Sequence, residues 1–122
     1  MNVGSFENGI NKYRNRISEK IKANGVYIQI EDGYTYSVGM NKYGLPEFVC
    51  GLNYEECLEL MLIIIKAKEL EFSDIKVGKH IKNIIHPEPF VMEISESEKR
   101  DIFHGGRSYY STWNFKAAKL IL

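Results

Sequence analysis

Cysteine, proline and tryptophan are scarce in this chain, with two, three and one residues respectively among 122. So few cysteines argue against a disulfide-stapled scaffold, and no Pro/Gly/Ser-rich tract, internal repeat or linker divides the sequence. Net charge is missing as well: 16 Lys and Arg balance 16 Asp and Glu, and the pI is near 6.8. Without an excess of positive charge there is no sequence-independent attraction to phosphate backbones, so nucleic acid is not an expected partner. The longest uninterrupted apolar run is Leu60 to Ile65, far below the roughly 20 residues that span a bilayer. No charged-then-apolar leader opens the sequence, so a cytoplasmic protein without a membrane partner is expected.

What is present describes one globular domain over residues 1–122, with 44% hydrophobic and 26% charged residues. A chain of this size buries roughly 65–70% of its unfolded surface, enough for a core without disulfides or a structural metal. Charges are unevenly placed, since Lys76, Lys79, His80, Lys82 and His86 follow the acidic Glu55, Glu56, Glu59, Glu69, Glu71 and Asp74. This reads as a solvated face. Cys50 and Cys57 each sit among apolar neighbours at a spacing that matches no zinc or redox motif, and both read as reduced core residues.

Phe6, Ile10, Tyr13, Ile17 and Ile21 recur at helical spacing and predict an amphipathic helix over 5–24, stopped by Gly25. Val26 to Ile30 and Tyr34 to Met40 alternate in the manner of strands around a turn at Glu31-Asp32-Gly33 and predict a hairpin. A loop over 41–46 leads to a short, largely buried strand over 47–52. Asn53 with Glu56 makes a capping box for a second helix running to Leu70, whose all-round apolar stretch calls for cover on more than one side. Residues 72–83 show no clear pattern. Residues 84–85 and 90–94 predict one or two further strands, the second at an edge because prolines cannot donate to a ladder. Ser95 with Glu98 opens a short helix predicted to stop at Gly105-Gly106, and Lys116 to Leu122 reads as a final strand. The expected class is α+β: a small mixed or antiparallel sheet of about five strands against two or three helices in a single layer.

Tyr34-Thr35-Tyr36-Ser37-Val38-Gly39-Met40, followed by Gly44-Leu45-Pro46-Glu47-Phe48-Val49 and Gly51-Leu52, resembles the signature of a bacterial and phage family known as domain of unknown function 4262. The family pattern runs roughly Tyr-Thr-Val-Gly-Leu, a short loop, Gly-His-Pro-Glu-Leu, a strand and Gly-Leu. Leu45 departs from it by standing where the family often has His. The resemblance implies no activity.

Alternation places Thr35, Ser37 and Gly39 on one small-residue face of their strand. Such a face admits close approach by either the second helix or a flat ligand. Glu47, after Pro46, suits either a backbone cap or a general base. His104-Gly105-Gly106-Arg107 reads either as a helix end or as an anion-binding loop in which Arg107 offers a planar donor fork. No phosphate-binding glycine loop, nucleophile elbow or metal-binding histidine pair is present, so neither a catalytic set nor a metal site is assigned. Two functions stay open. The first is a non-catalytic protein of the immunity, anti-defence or accessory type that docks on a protein partner through an exposed aromatic patch of Tyr109, Tyr110 and Trp113. The second is a small-molecule domain, nucleotide- or flavin-like, holding a small anionic ligand with Thr35, Ser37, Gly39, Glu47 and Arg107. An enzyme using Glu47 or His104 ranks last. A homodimer is compatible with either of the first two, and no cofactor is indicated.

Overall fold

The computed structural model describes residues 3–122, with the side chains of 3–8 and 10 excepted. Two members of the expected first stripe, Phe6 and Ile10, therefore lie outside the described residues. From Tyr13 onward the stripe behaves as its spacing demands: α1 (Val3–Asn24) buries Ile17 and Ile21, and Gly25 ends it at φ +90°. The hairpin follows as β1 (Tyr27–Glu31) and β2 (Tyr34–Val38), then a 3-10 turn (Met40–Tyr43), β3 (Glu47–Cys50) and α2 (Tyr54–Glu69). The capping box at the start of α2 is formed, with Asn53 accepting from the Glu56 amide and Glu56 reaching back to the Asn53 amide. The chain then runs without helix or strand to β4 (Phe90–Glu93), α3 (Glu96–Ile102), α4 (His104–Tyr110) and β5 (Ala117–Ile121).

The five strands form one mixed sheet in the order β1-β2-β3-β5-β4, with β3 and β5 parallel and the other neighbours antiparallel. The α+β class and the mixed five-stranded sheet are thus as expected. The helices differ, because the described residues form four and they cover both faces. Alternation along the strands explains this. Ile28, Phe48, Cys50, Ala118 and Leu120 point toward α2, whereas Tyr36, Val38 and Val49 point toward α1, α3 and α4. With large apolar side chains on both sides, a single helical layer would leave one face wet.

Three further expectations are corrected. The second strand ends at Val38 rather than Met40, since Gly39 takes φ +110° and turns the chain into the 3-10 turn. Residues 84–85 form no strand. The glycine pair 105–106 does not end a helix: α3 stops at Ile102, and both glycines lie inside α4. Cover on α2 is also less complete than its run suggests, with Leu60, Met61, Ile64 and Ile65 buried but Leu62 exposed. The patternless 72–83 segment has a role at the sheet margin. Gly78 and Ile81 amides donate to the Val91 and Pro89 carbonyls (both 2.7 Å), and the Val91 amide donates to Lys79 O (3.0 Å), which occupies the outer edge of β4. No helix among the described residues is long and apolar enough to cross a membrane.

Candidate functional site

Glu47 is the most unusual residue of the fold: a carboxylate with no exposed surface at the first position of a central strand. A buried carboxylate needs donors. Five groups supply them: Ser37 Oγ (2.9 Å), the Gly39 amide (2.9 Å), the Met40 amide (3.1 Å to both oxygens), Asn41 Nδ2 (3.4 Å) and the Tyr110 hydroxyl. The local sequence explains how they converge. Gly39 at φ +110° turns consecutive amides inward, and a Cβ there would lie 2.8 Å from Ile21 Cδ1, so glycine meets a backbone and a packing demand together. Ser37 Oγ also accepts from the Phe48 amide (2.9 Å), carrying the β2–β3 connection past its last ladder pair. Asn41 ties the turn to β5, exchanging hydrogen bonds with the Lys116 amide (3.1 Å) and carbonyl (3.3 Å). Burial pushes the Glu47 carboxyl upward, and the hydrogen bonds from Tyr110, Met40, Ser37 and Gly39 pull it back.

With both oxygens engaged, Glu47 offers no approach for a substrate proton, so it is built as an internal clamp rather than as a general base. The face carrying Thr35 and Ser37 is covered by α2, and Gly39 abuts Ile21 of α1. Thr35, Ser37, Gly39 and Glu47 are all buried. Arg107 is not brought to them. It is exposed on α4, from which Tyr110, not Arg107, reaches the carboxylate. The expected exposed aromatic patch is likewise revised. Tyr109, Tyr110 and Trp113 are each half-buried, with Tyr110 5.2 Å and Trp113 6.1 Å from the Phe115 ring. Their hydrophobic surface completes the core under α4, which a spacing pattern of aromatics cannot distinguish from an interface.

Arg107 instead borders an open cleft of about 530 Å³ shared with Glu96, Lys99, Arg100, Thr112 and Trp113. Lys99 forms its floor. Only 9% exposed, its ammonium donates to Trp113 O (2.7 Å) and Phe115 O (3.0 Å) and pairs with Glu96 (3.1 Å). Arg100 lies over the Trp113 ring (5.5 Å) and its Nε also meets Glu96 (3.5 Å). Among the described residues no carboxylate stands within ion-pair distance of Arg107. The cleft therefore holds three cations against one carboxylate. Sequence reasoning missed Asn41, Lys99 and Arg100. For Lys99 and Arg100 the signal was their helical spacing from Glu96 behind a legible cap, and for Asn41 it was nearness to a carboxylate at the head of a buried strand. His104 is exposed at the start of α4. Among the described residues no cluster of three or more His, Cys, Asp or Glu could hold a metal ion.

Burial raises four of the eight tyrosines above their ordinary value: Tyr13 to about 12, with Tyr27, Tyr36 and Tyr110 also pushed up. A group with a raised native pKa lends stability that is intact below its unfolded value of 10.0 and lost as pH climbs toward the native one. Stability should therefore fall steeply above pH 10. In an alkaline titration followed by tyrosinate absorbance and far-UV circular dichroism, these four should ionise together with unfolding. Ionisation of all eight while the dichroism is unchanged would refute their burial.

Comparison with protein-family models, curated proteins and solved structures gives no match to this chain.

Proposed function

We propose that this protein is a non-catalytic docking module that recognises an acidic peptide segment of a protein partner in the Lys99–Arg100–Arg107–Trp113 cleft. The observation that carries the reading is the charge imbalance there. Arg107 presents its donor fork to solvent beside an Arg100–Trp113 stack, and Glu96 is already engaged by Lys99 and Arg100. Arginine and tryptophan side by side are the residue types that anchor protein interfaces, and an open, shallow cleft suits an extended segment better than an enclosed small molecule. The flavin- or nucleotide-like alternative has less support, because the small-residue face meant to cradle the ligand is filled by protein side chains. The resemblance to domain of unknown function 4262 carries no activity, so the reading rests on the surface alone.

Trp113 is the one tryptophan of the chain and lines the cleft, which makes its emission a direct reporter. Glutamate-rich peptides should shift that emission saturably, the affinity should fall with added salt, and lysine-rich peptides should have no effect. Arg107→Glu should weaken binding by about tenfold or more while leaving stability within about 0.5 kcal/mol, as expected for an exposed side chain. Absence of a saturable shift with any acidic peptide, or an affinity indifferent to Arg107→Glu, would sink the proposal.

A further inference from the structure

A pair of cysteines lies on the opposite face of the sheet from α4. Cys50 ends β3 and Cys57 lies in the first turns of α2, and the fold brings their sulfurs to 3.3 Å. Both are free thiols. Six residues separate them in sequence, a spacing that reads as nothing until the strand-turn-helix geometry folds one sulfur onto the other. The two are not equivalent. Cys50 keeps 6% of its surface exposed and Cys57 none, and Cys50 is followed by exposed Gly51, around which no atom would crowd even a Cβ. Cys50 is therefore the cysteine nearer solvent, next to the exposed Gly51 turn.

We propose that Cys50 and Cys57 are a peroxide-responsive dithiol, with Cys50 the sulfur that is oxidised first and Cys57 the one that resolves it. In the first step the Cys50 thiolate attacks a hydroperoxide. An S–O bond forms, the O–O bond breaks, and the leaving hydroxide or alkoxide takes a proton. The sulfur is oxidised to sulfenic acid and the peroxide is reduced. In the second step Cys57 sulfur attacks the sulfenic sulfur. An S–S bond forms, the S–O bond breaks, and water leaves with the Cys57 proton. A hydroperoxide is the fitting oxidant because it is small enough to reach a residue with only 6% of its surface exposed. The electrostatics run the same way. Contact with Cys57 and the Leu52 amide holds the Cys50 thiol low, while the shared proton and burial hold Cys57 high, so the thiolate that attacks first is at Cys50. The product joins the end of β3 covalently to α2 and locks the turn between them.

The test uses the full chain, reduced and freed of reductant, exposed to hydrogen peroxide, then denatured, alkylated and mapped by peptide mass spectrometry. The expected result is a Cys50–Cys57 linked peptide, closed to alkylation and reopened by dithiothreitol. With dimedone present, Cys57→Ser should be labelled at Cys50, and at least about tenfold faster than Cys50→Ser is labelled at Cys57. Two thiols still alkylated after peroxide, or disulfides only between molecules, would overturn the pairing. Faster labelling at Cys57 would overturn the assigned order. Should either variant fail to fold, the linked peptide in the natural chain still decides the pairing.

Discussion

Glu47→Leu is expected to cost about 4 kcal/mol or more, measured by urea unfolding, and so to remove much of the roughly 5–15 kcal/mol that holds a domain of this kind together. The opposite outcome has a physical case, since replacing a buried charge by an apolar side chain of similar volume is often neutral or stabilising when its partners are replaced too. That route is closed here. Two of the donors to Glu47 are the backbone amides of Gly39 and Met40, which no substitution at position 47 removes. A leucine would leave them facing hydrocarbon together with Ser37 Oγ, at about 1–3 kcal/mol for each donor that finds no other acceptor, whereas Asn41 Nδ2 keeps the Leu45 and Lys116 carbonyls. Glu47→Gln keeps the shape and one acceptor oxygen but turns an NH2 toward the amides. Its loss should fall between those of leucine and of Tyr110→Phe, which removes one donor of five and should cost about 1 kcal/mol. A Glu47→Leu variant within about 1 kcal/mol of the natural chain would mean that the clamp contributes nothing.

The two ends of that clamp differ in how readable they are. A carboxylate at the head of a strand expected to be buried already signals that donors must surround it, and Ser37, Gly39, Met40 and Asn41 all lie within ten residues. Tyr110 lies 63 residues away on an element that the sequence reading did not contain, so nothing local could assign it. The same division runs through the fold. The α1 stripe from Tyr13 onward and the caps at Asn53 and Ser95 depend on neighbours three or four residues apart and formed where their spacing placed them, while the hairpin depends on alternation about a local turn and formed with its second strand shortened at Gly39. What escaped depends on contacts across the chain: the second helical layer, the meeting of Cys50 with Cys57, and the burial of Lys99 against the Trp113 and Phe115 carbonyls. Gly105-Gly106 is the instructive failure. Glycine is the poorest helix former after proline, so a pair of them reads as a stop. Here they are kept inside a helix because that helix must come close to the sheet.

Gly105→Val measures how close, and it should destabilise the protein by about 2–4 kcal/mol in the same urea assay. Intrinsic propensity alone predicts the reverse, since valine is favoured over glycine in a helix by roughly 0.3 kcal/mol. Packing opposes it. A Cβ at Gly105 would stand 2.8 Å from the Tyr36 hydroxyl and 2.9 Å from that of Tyr13. Tyr13 is half-buried and can swing aside, but Tyr36 cannot. Its ring has no exposed surface and lies 5.0 Å from Phe103, and its hydroxyl accepts from the Gly105 amide (2.8 Å) while donating to Glu31 (3.2 Å). Relief therefore requires α4 to lift away from β2, at about 1–3 kcal/mol for overpacking and about 1 kcal/mol more for the lost hydrogen bond. Gly9→Ala supplies the contrast, because that glycine is an exposed position of α1 with nothing within 4 Å of a built Cβ. There propensity acts unopposed and should add about 0.5–1 kcal/mol. A stabilising effect at both positions would mean that α4 does not sit against Tyr36. In that case the route by which Tyr110 reaches Glu47 would fail with it, because both contacts depend on the same seven-residue helix.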